Sequence, residues 1–146
     1  FYPFSDEQPE KSVVDNLQLL LDALIVKNSI SQRNITILTT RRKEDCFLSE
    51  FVDREKYIGQ YQITSEIDSE FKITCTSAQK FRGLESQIII LGDMEGRSYK
   101  QLNYIASSRA KLMLFLLTSE GFITKHPELT DGCEEYKGTL DMESMI

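Results

Sequence analysis

The sequence is poor in the residues that staple a fold covalently or through metal. Its 146 residues include three cysteines (Cys46, Cys75 and Cys133), no CxxC pair and a single histidine, His126. An odd, scattered cysteine set with one imidazole argues against a zinc site or a disulfide framework; it suits a reducing compartment such as the cytoplasm. No apolar run approaches the 18 residues of a membrane span, and Ile88 to Leu91 is strand-sized. The start, Phe1-Tyr2-Pro3-Phe4-Ser5-Asp6, lacks the basic-then-apolar order of a secretory leader and an initiator Met, as expected for a piece of a longer protein. A phosphate-cradling G-x-x-x-x-G-K-[ST] loop is also missing: neither Gly92 nor Gly96 is followed by Gly-Lys-Ser or Gly-Lys-Thr. The chain alone is therefore expected to hydrolyse no nucleotide.

Charge of one sign dominates only at one end. The net charge is −6, but residues 1–34 carry −2, residues 35–117 carry +1 and residues 118–146 carry −5. An acidic tail thus follows a nearly neutral middle with local basic clusters, which predicts weak nucleic-acid affinity for the isolated chain. Length and apolar content are those of one compact domain with its own core.

Residues 1–11, with two prolines, read as an extended lead-in. Val13, Val14, Leu17, Leu20, Leu21, Leu24 and Ile25 recur at helical spacing, which predicts an amphipathic helix capped by Ser12 and stopped at Asn28. Ile35 to Thr39 is a β-branched strand. A helix is expected from Arg42 or Lys43, with Phe47, Leu48, Phe51 and Val52 as its apolar face. Tyr61 to Ile63 and Phe71 to Thr76 are further strands. Gln87 to Leu91 is a continuous apolar run, the mark of a central parallel strand covered on both faces. Ser98 to Ala110 reads as a helix and Leu112 to Leu117 as a buried strand. Strands alternating with helices define an α/β layered domain over residues 12–118. Residues 119–146 read as acidic loops and short helices.

Ligands of open parallel sheets bind at the carboxyl ends of strands. Arg41, Arg42 and Lys43 follow the first strand, and Ser77 to Glu85 follows the strand at 71–76. Ser107, Ser108, Arg109 and Lys111 precede the last strand. The three clusters are expected on one edge, suited to polyphosphate because guanidinium groups match phosphate oxygens in a fixed fork. Asp93 follows the central strand as a lone carboxylate, so no metal site is expected there.

The segment Lys80-Phe81-Arg82-Gly83-Leu84-Glu85, with the strand Ile88 to Leu91, resembles helicase motif V (roughly T-x-H-x-x-K-G-L-E). Tyr104-Ile105-Ala106-Ser107-Ser108-Arg109-Ala110-Lys111 resembles motif VI (roughly Y-V-A-x-T-R-A-K), and Ile35 to Arg42 resembles motif IV. In order and spacing, residues 33–118 are similar to the second RecA-like domain of UvrD-like superfamily-one helicases. The resemblance implies a P-loop-NTPase-type three-layer sandwich without its own Walker A loop. It implies a first RecA-like domain in the same protein, which supplies the ligands to magnesium, with ATP bound between the two. Arg109 would be the arginine finger on the γ-phosphate, with Arg41 or Arg42 as a second contact. Glu85 would meet the ribose and Gly83 would allow the tight turn. Thr39, Ser77, Gln79 and Lys80 would line a single strand of DNA, or of RNA. Ser77 and Gln79 depart from the threonine and histidine of the motif, and Arg82 replaces its lysine with charge preserved. The rival reading is a non-catalytic RecA-like scaffold or binding module. Either is expected in the cytoplasm or on the nucleoid, without a membrane.

Overall fold

The computed structural model describes residues 2–4, 9–67, 69–81, 83–93 and 110–125. Strand β1, Tyr2–Phe4, opens the chain and helix α1, Pro9–Asp22, follows. Proline is tolerated in a first helical turn because its missing N–H would have no intrahelical partner there. The helix therefore begins three residues before the expected cap at Ser12. Its apolar stripe behaves as the spacing predicts: Val13, Leu17, Leu20, Leu21 and Leu24 are buried. The helix runs into a π-helical turn, Ala23–Lys27, and stops at Asn28. The Asn28 side-chain amide donates to the Ala23 carbonyl oxygen at 2.6 Å and its backbone N–H to the same oxygen at 3.2 Å. Both bonds serve a carbonyl that the helix end would leave unpaired.

Five more strands follow: β2 Ile35–Thr39, β3 Ile63–Thr64, β4 Ile73–Ser77, β5 Ser86–Leu91 and β6 Ala110–Ser119, then a short helix α2, Glu120–Lys125. They form one six-stranded sheet in the order β1-β6-β5-β2-β4-β3, and every pairing is parallel. The segment expected as a lead-in is extended at Tyr2–Phe4, but it belongs to the sheet, with Tyr2 opposite Leu117. Strands β5 and β2 are central, as the apolar run from Ile88 predicts. Side chains alternate across the sheet. One face carries Ile35, Ile37, Ile73, Cys75, Ile88, Ile90, Phe115 and Leu117, packed with α1 and the chain from Cys46 to Tyr61. The other carries Leu38, Ile89, Leu91, Leu114 and Leu116, packed with Ala78, Phe81 and Phe122. This is a three-layered α/β sandwich around a parallel sheet, the architecture that RecA-like folds share.

The two covered faces follow from the direction of winding. From β1 to β2 to β3 the chain moves one way across the sheet, and its connections lie on the first face. From β4 to β5 it moves back, and Ala78 and Phe81 lie on the second. Right-handed crossovers require this change of face when the direction reverses. β2 therefore has neighbours, β4 and β5, placed by the return half of the winding, and the boundary beside it is a topological switch point.

The expected helix after Arg42 does not form. Residues 43–54 make separate turns, with Cys46 N–H on the Arg42 carbonyl and Val52 N–H on that of Leu48. The Phe47 N–H, which would continue a helical ladder, donates instead to Asp93 Oδ2 at 3.2 Å. Phe47, Leu48, Phe51 and Val52 still face the core, so the apolar spacing is met by turns. Strand β3 lies at Ile63–Thr64 rather than at Tyr61 to Ile63, and β4 starts at Ile73, leaving Phe71 exposed. Most of the expected helix from Ser98, and the tail from His126 onward, lie outside the described residues; Ala110 opens β6.

Candidate functional site

In a parallel sheet, segments leaving strands begin at the carboxyl edge and segments entering strands end at the amino edge. The basic clusters accordingly do not all converge. Register places Thr39 opposite Ser77, and Leu38 opposite Leu91, at the carboxyl edge. It places Ser86 opposite Ala110 at the amino edge. β5 has six residues between those edges. At about 3.3 Å per residue the edges stand roughly 20 Å apart.

The carboxyl edge is organised by Asp93, two residues past β5 and in a left-handed conformation (φ 55°). Its carboxylate accepts from the Thr39 hydroxyl and the Phe47 N–H, and lies 3.9 Å from Arg41 Nε. Its carbonyl accepts from the Thr40 hydroxyl at 3.2 Å. The Arg41 N–H in turn donates to Thr39 Oγ1 at 3.1 Å. Asp93 is thereby only 10% exposed at its side chain, whereas Arg41 is 52% exposed. The carboxylate thus braces the base of a guanidinium that projects to solvent. Gly92, just before it, is required by close approach: an added Cβ would stand 2.2 Å from Phe47 Cε1.

Arg42 is exposed on the same turn. Lys43 is drawn aside, with Nζ 2.9 Å from Asp53 Oδ2. At the same edge the turn after β4 carries Gln79 and Lys80, both exposed. That turn is held by the Ser77 hydroxyl, which accepts from Lys80 N–H at 3.3 Å, and by Phe81, buried on the second face. Arg41, Arg42 and Lys80 are exposed cations around the ends of β2 and β4, and Lys43, also exposed, is paired with Asp53. Thr39, expected along a nucleic-acid track, is 2% exposed with its hydroxyl engaged by Asp93, so it acts here as a scaffold.

The amino edge holds the other set. Glu85, just before β5, pairs with Lys111, near the start of β6, at 3.2 Å; both side chains are exposed. Gly83 turns the chain into this edge with φ +83°, and nothing lies within 4 Å of where a Cβ would stand. Such a φ favours glycine. Leu84 and Leu112 are also exposed here. Arg82 and Arg109 lie outside the described residues; the residue following Arg109 in the chain, Ala110, pairs with Ser86. The structure thus brings together Gly83, Glu85 and Lys111 at one edge, and Arg41, Arg42, Ser77 and Lys80 at the other.

Asp93 has a structural part that sequence reasoning did not assign. Asp93 looked like a lone carboxylate because its partners Thr39, Arg41 and Phe47 come from a distant segment. Among the described residues, no group of three or more His, Cys, Asp or Glu side chains could hold a metal ion, and no helix is long and apolar enough to cross a membrane. Compared with protein-family models and with curated proteins, the chain matches none. The fold and the two edges define the class at the level of a parallel α/β domain with cationic groups at both ends of its strands.

Proposed function

We propose that this chain is the second RecA-like domain of a UvrD-like superfamily-one helicase or translocase. In this reading it works on single-stranded DNA, with ATP held between it and a first RecA-like domain of the same protein. The observation that carries the reading is the contact between Glu85 and Lys111. These residues belong to the two segments that resemble motifs V and VI, which are distant in sequence and meet at one sheet edge.

The residues present suit a nucleotide at the amino edge. The Glu85 carboxylate can accept from ribose hydroxyls, the Lys111 ammonium can meet phosphate, and the open turn at Gly83 leaves room for a ligand. Arg109, two residues before Lys111, is the proposed γ-phosphate arginine; its charge would stabilise that of the transferring phosphoryl group. Bound ATP supplies the phosphoryl transfer whose turnover drives the cleft between the domains.

The separation of the edges divides the basic residues. Arg41 and Arg42, first expected at the γ-phosphate, stand with Lys80 and Gln79 beside the ends of β2 and β4. They fit a strand's phosphates better than a nucleotide held by Glu85. Ser77 supports this track by shaping its turn. Such a protein belongs in the cytoplasm or on the nucleoid.

The test is Arg109→Ala in the full-length protein. Nucleic-acid-stimulated ATPase is expected to fall about a thousand-fold or more, as with other phosphate-sensing arginines. An unchanged rate removes Arg109 from the site and the helicase reading with it.

A further inference from the structure

Arg41 is tied twice to one carboxylate. Its side chain places Nε 3.9 Å from Asp93 Oδ1. Its backbone N–H donates to Thr39 Oγ1 at 3.1 Å, and the Thr39 hydroxyl donates in turn to Asp93 Oδ2. The same Oδ2 accepts the Phe47 N–H at 3.2 Å, and the Asp93 carbonyl accepts the Thr40 hydroxyl. The end of β2, the turn after it and the exit from β5 are thus gathered on one residue. An acid at an edge that meets phosphates has a Coulomb cost, because it repels them and cancels part of the charge of Arg41. Its contacts give a reason for its place there.

We propose that Asp93 is a positioning residue for single-stranded DNA: it holds the Arg41 guanidinium in place before a strand phosphate arrives. The proposal rests on the reading of the carboxyl edge as the single-strand track.

A guanidinium donates from Nε and from both terminal nitrogens. Asp93 engages Nε, the nitrogen nearest the chain, while the Arg41 side chain stays half exposed. The terminal nitrogens are left to meet a phosphate as a fork. A long side chain samples many rotamers, and ordering it on binding has an entropic cost. An arginine already held at both its backbone and its Nε loses less freedom when the strand binds. Asp93 can serve as the anchor because its own carboxylate is fixed by Thr39 and Phe47, from two different segments. Arg42, exposed on the same turn, is the internal comparison.

The experiment measures binding of a single-stranded oligothymidylate to the full-length protein without nucleotide. Asp93→Asn keeps an acceptor for the Phe47 N–H and the Thr39 hydroxyl but removes the charge facing Arg41. Coulomb repulsion alone predicts tighter binding for this variant, whereas positioning predicts weaker binding. Arg41→Ala is expected to weaken binding about tenfold, the size of one charge-assisted contact, and Asp93→Asn several-fold. Asp93→Asn should add nothing in the Arg41→Ala background, yet still weaken binding in the Arg42→Ala background. Tighter or unchanged binding by Asp93→Asn, with Arg41→Ala weakened, overturns the proposal and leaves the track in place. So does a further loss from Asp93→Asn when Arg41 is already alanine. Unchanged binding by Arg41→Ala removes the track and the proposal together. Nitrogen-15 relaxation of the arginine Nε–H groups in the unaltered protein decides even if Asp93→Asn does not fold. Arg41 Nε should be more ordered than Arg42 Nε before DNA is added, and equal mobility overturns the proposal.

Discussion

Lys111 Nζ lies 3.2 Å from Glu85 Oε2 across the β5–β6 pairing, close to where Ala110 stands opposite Ser86. The pair is exposed on both sides, and such pairs contribute only about 0–1 kcal/mol to stability. Glu85→Ala and Lys111→Ala are therefore expected to leave the thermal midpoint of the chain nearly unchanged. In the full-length protein each should raise KM for ATP. A large loss of stability with normal KM would make the contact a structural one and remove it from the nucleotide edge.

The carboxyl edge makes a separate prediction, read in salt. A single strand releases counterions when its phosphates are neutralised, and the slope of log K against log salt changes by about 0.7 for each contact. Arg42→Ala and Lys80→Ala should each weaken single-strand binding and flatten that slope by about 0.7. KM for ATP should stay where it was. A slope identical to that of the unaltered protein in both variants would place the nucleic acid elsewhere.

Asp53 supplies an acid-sensitive clasp between the turn after β2 and the end of β3. Burial pushes its carboxyl up. Hydrogen bonds from Ser65, Lys43 and Thr64 outweigh this and hold it well below the usual carboxylate range. Lys43 is raised by the same bond. A depressed carboxyl contributes stability above its unfolded pKa, about 3.9, and loses it as pH falls through the folded value. The raised Lys43 contributes below its unfolded pKa, about 10.4, and loses that contribution as pH rises through its folded value. Between these limits both contributions are present. Denaturant midpoints should show Asp53→Asn destabilised by a constant amount near neutral pH, with the gap closing below about pH 4. A gap that persists undiminished in acid would contradict the assignment.

The parts of the fold legible in the sequence were those set by local chemistry. The β-branched run Ile35 to Thr39 became β2 with the expected bounds, and the apolar run from Ile88 became a central strand. The stretch from Arg42 to Val52 has helical spacing but not a helix, because the Phe47 N–H finds a carboxylate on another segment. No local pattern announces such a partner. The site was legible as residues and order but not as geometry. Motif order names Arg41, Glu85 and Lys111, yet only strand direction tells that Arg41 leaves a strand whereas Glu85 enters one.

Pairing of β1 with β6 has a consequence for how the chain is made. Tyr2 needs Leu117, and Phe4 needs Ser119. These are the first and last strands described, so nearly the whole domain must leave the ribosome before the amino-terminal strand has anything to pair with. Closing so long a loop has an entropic cost that grows with its length and is repaid only on contact. β3 and β4, joined by a short segment, can pair far earlier. Among the described strands, the β1–β6 pairing therefore closes the longest loop of the sheet.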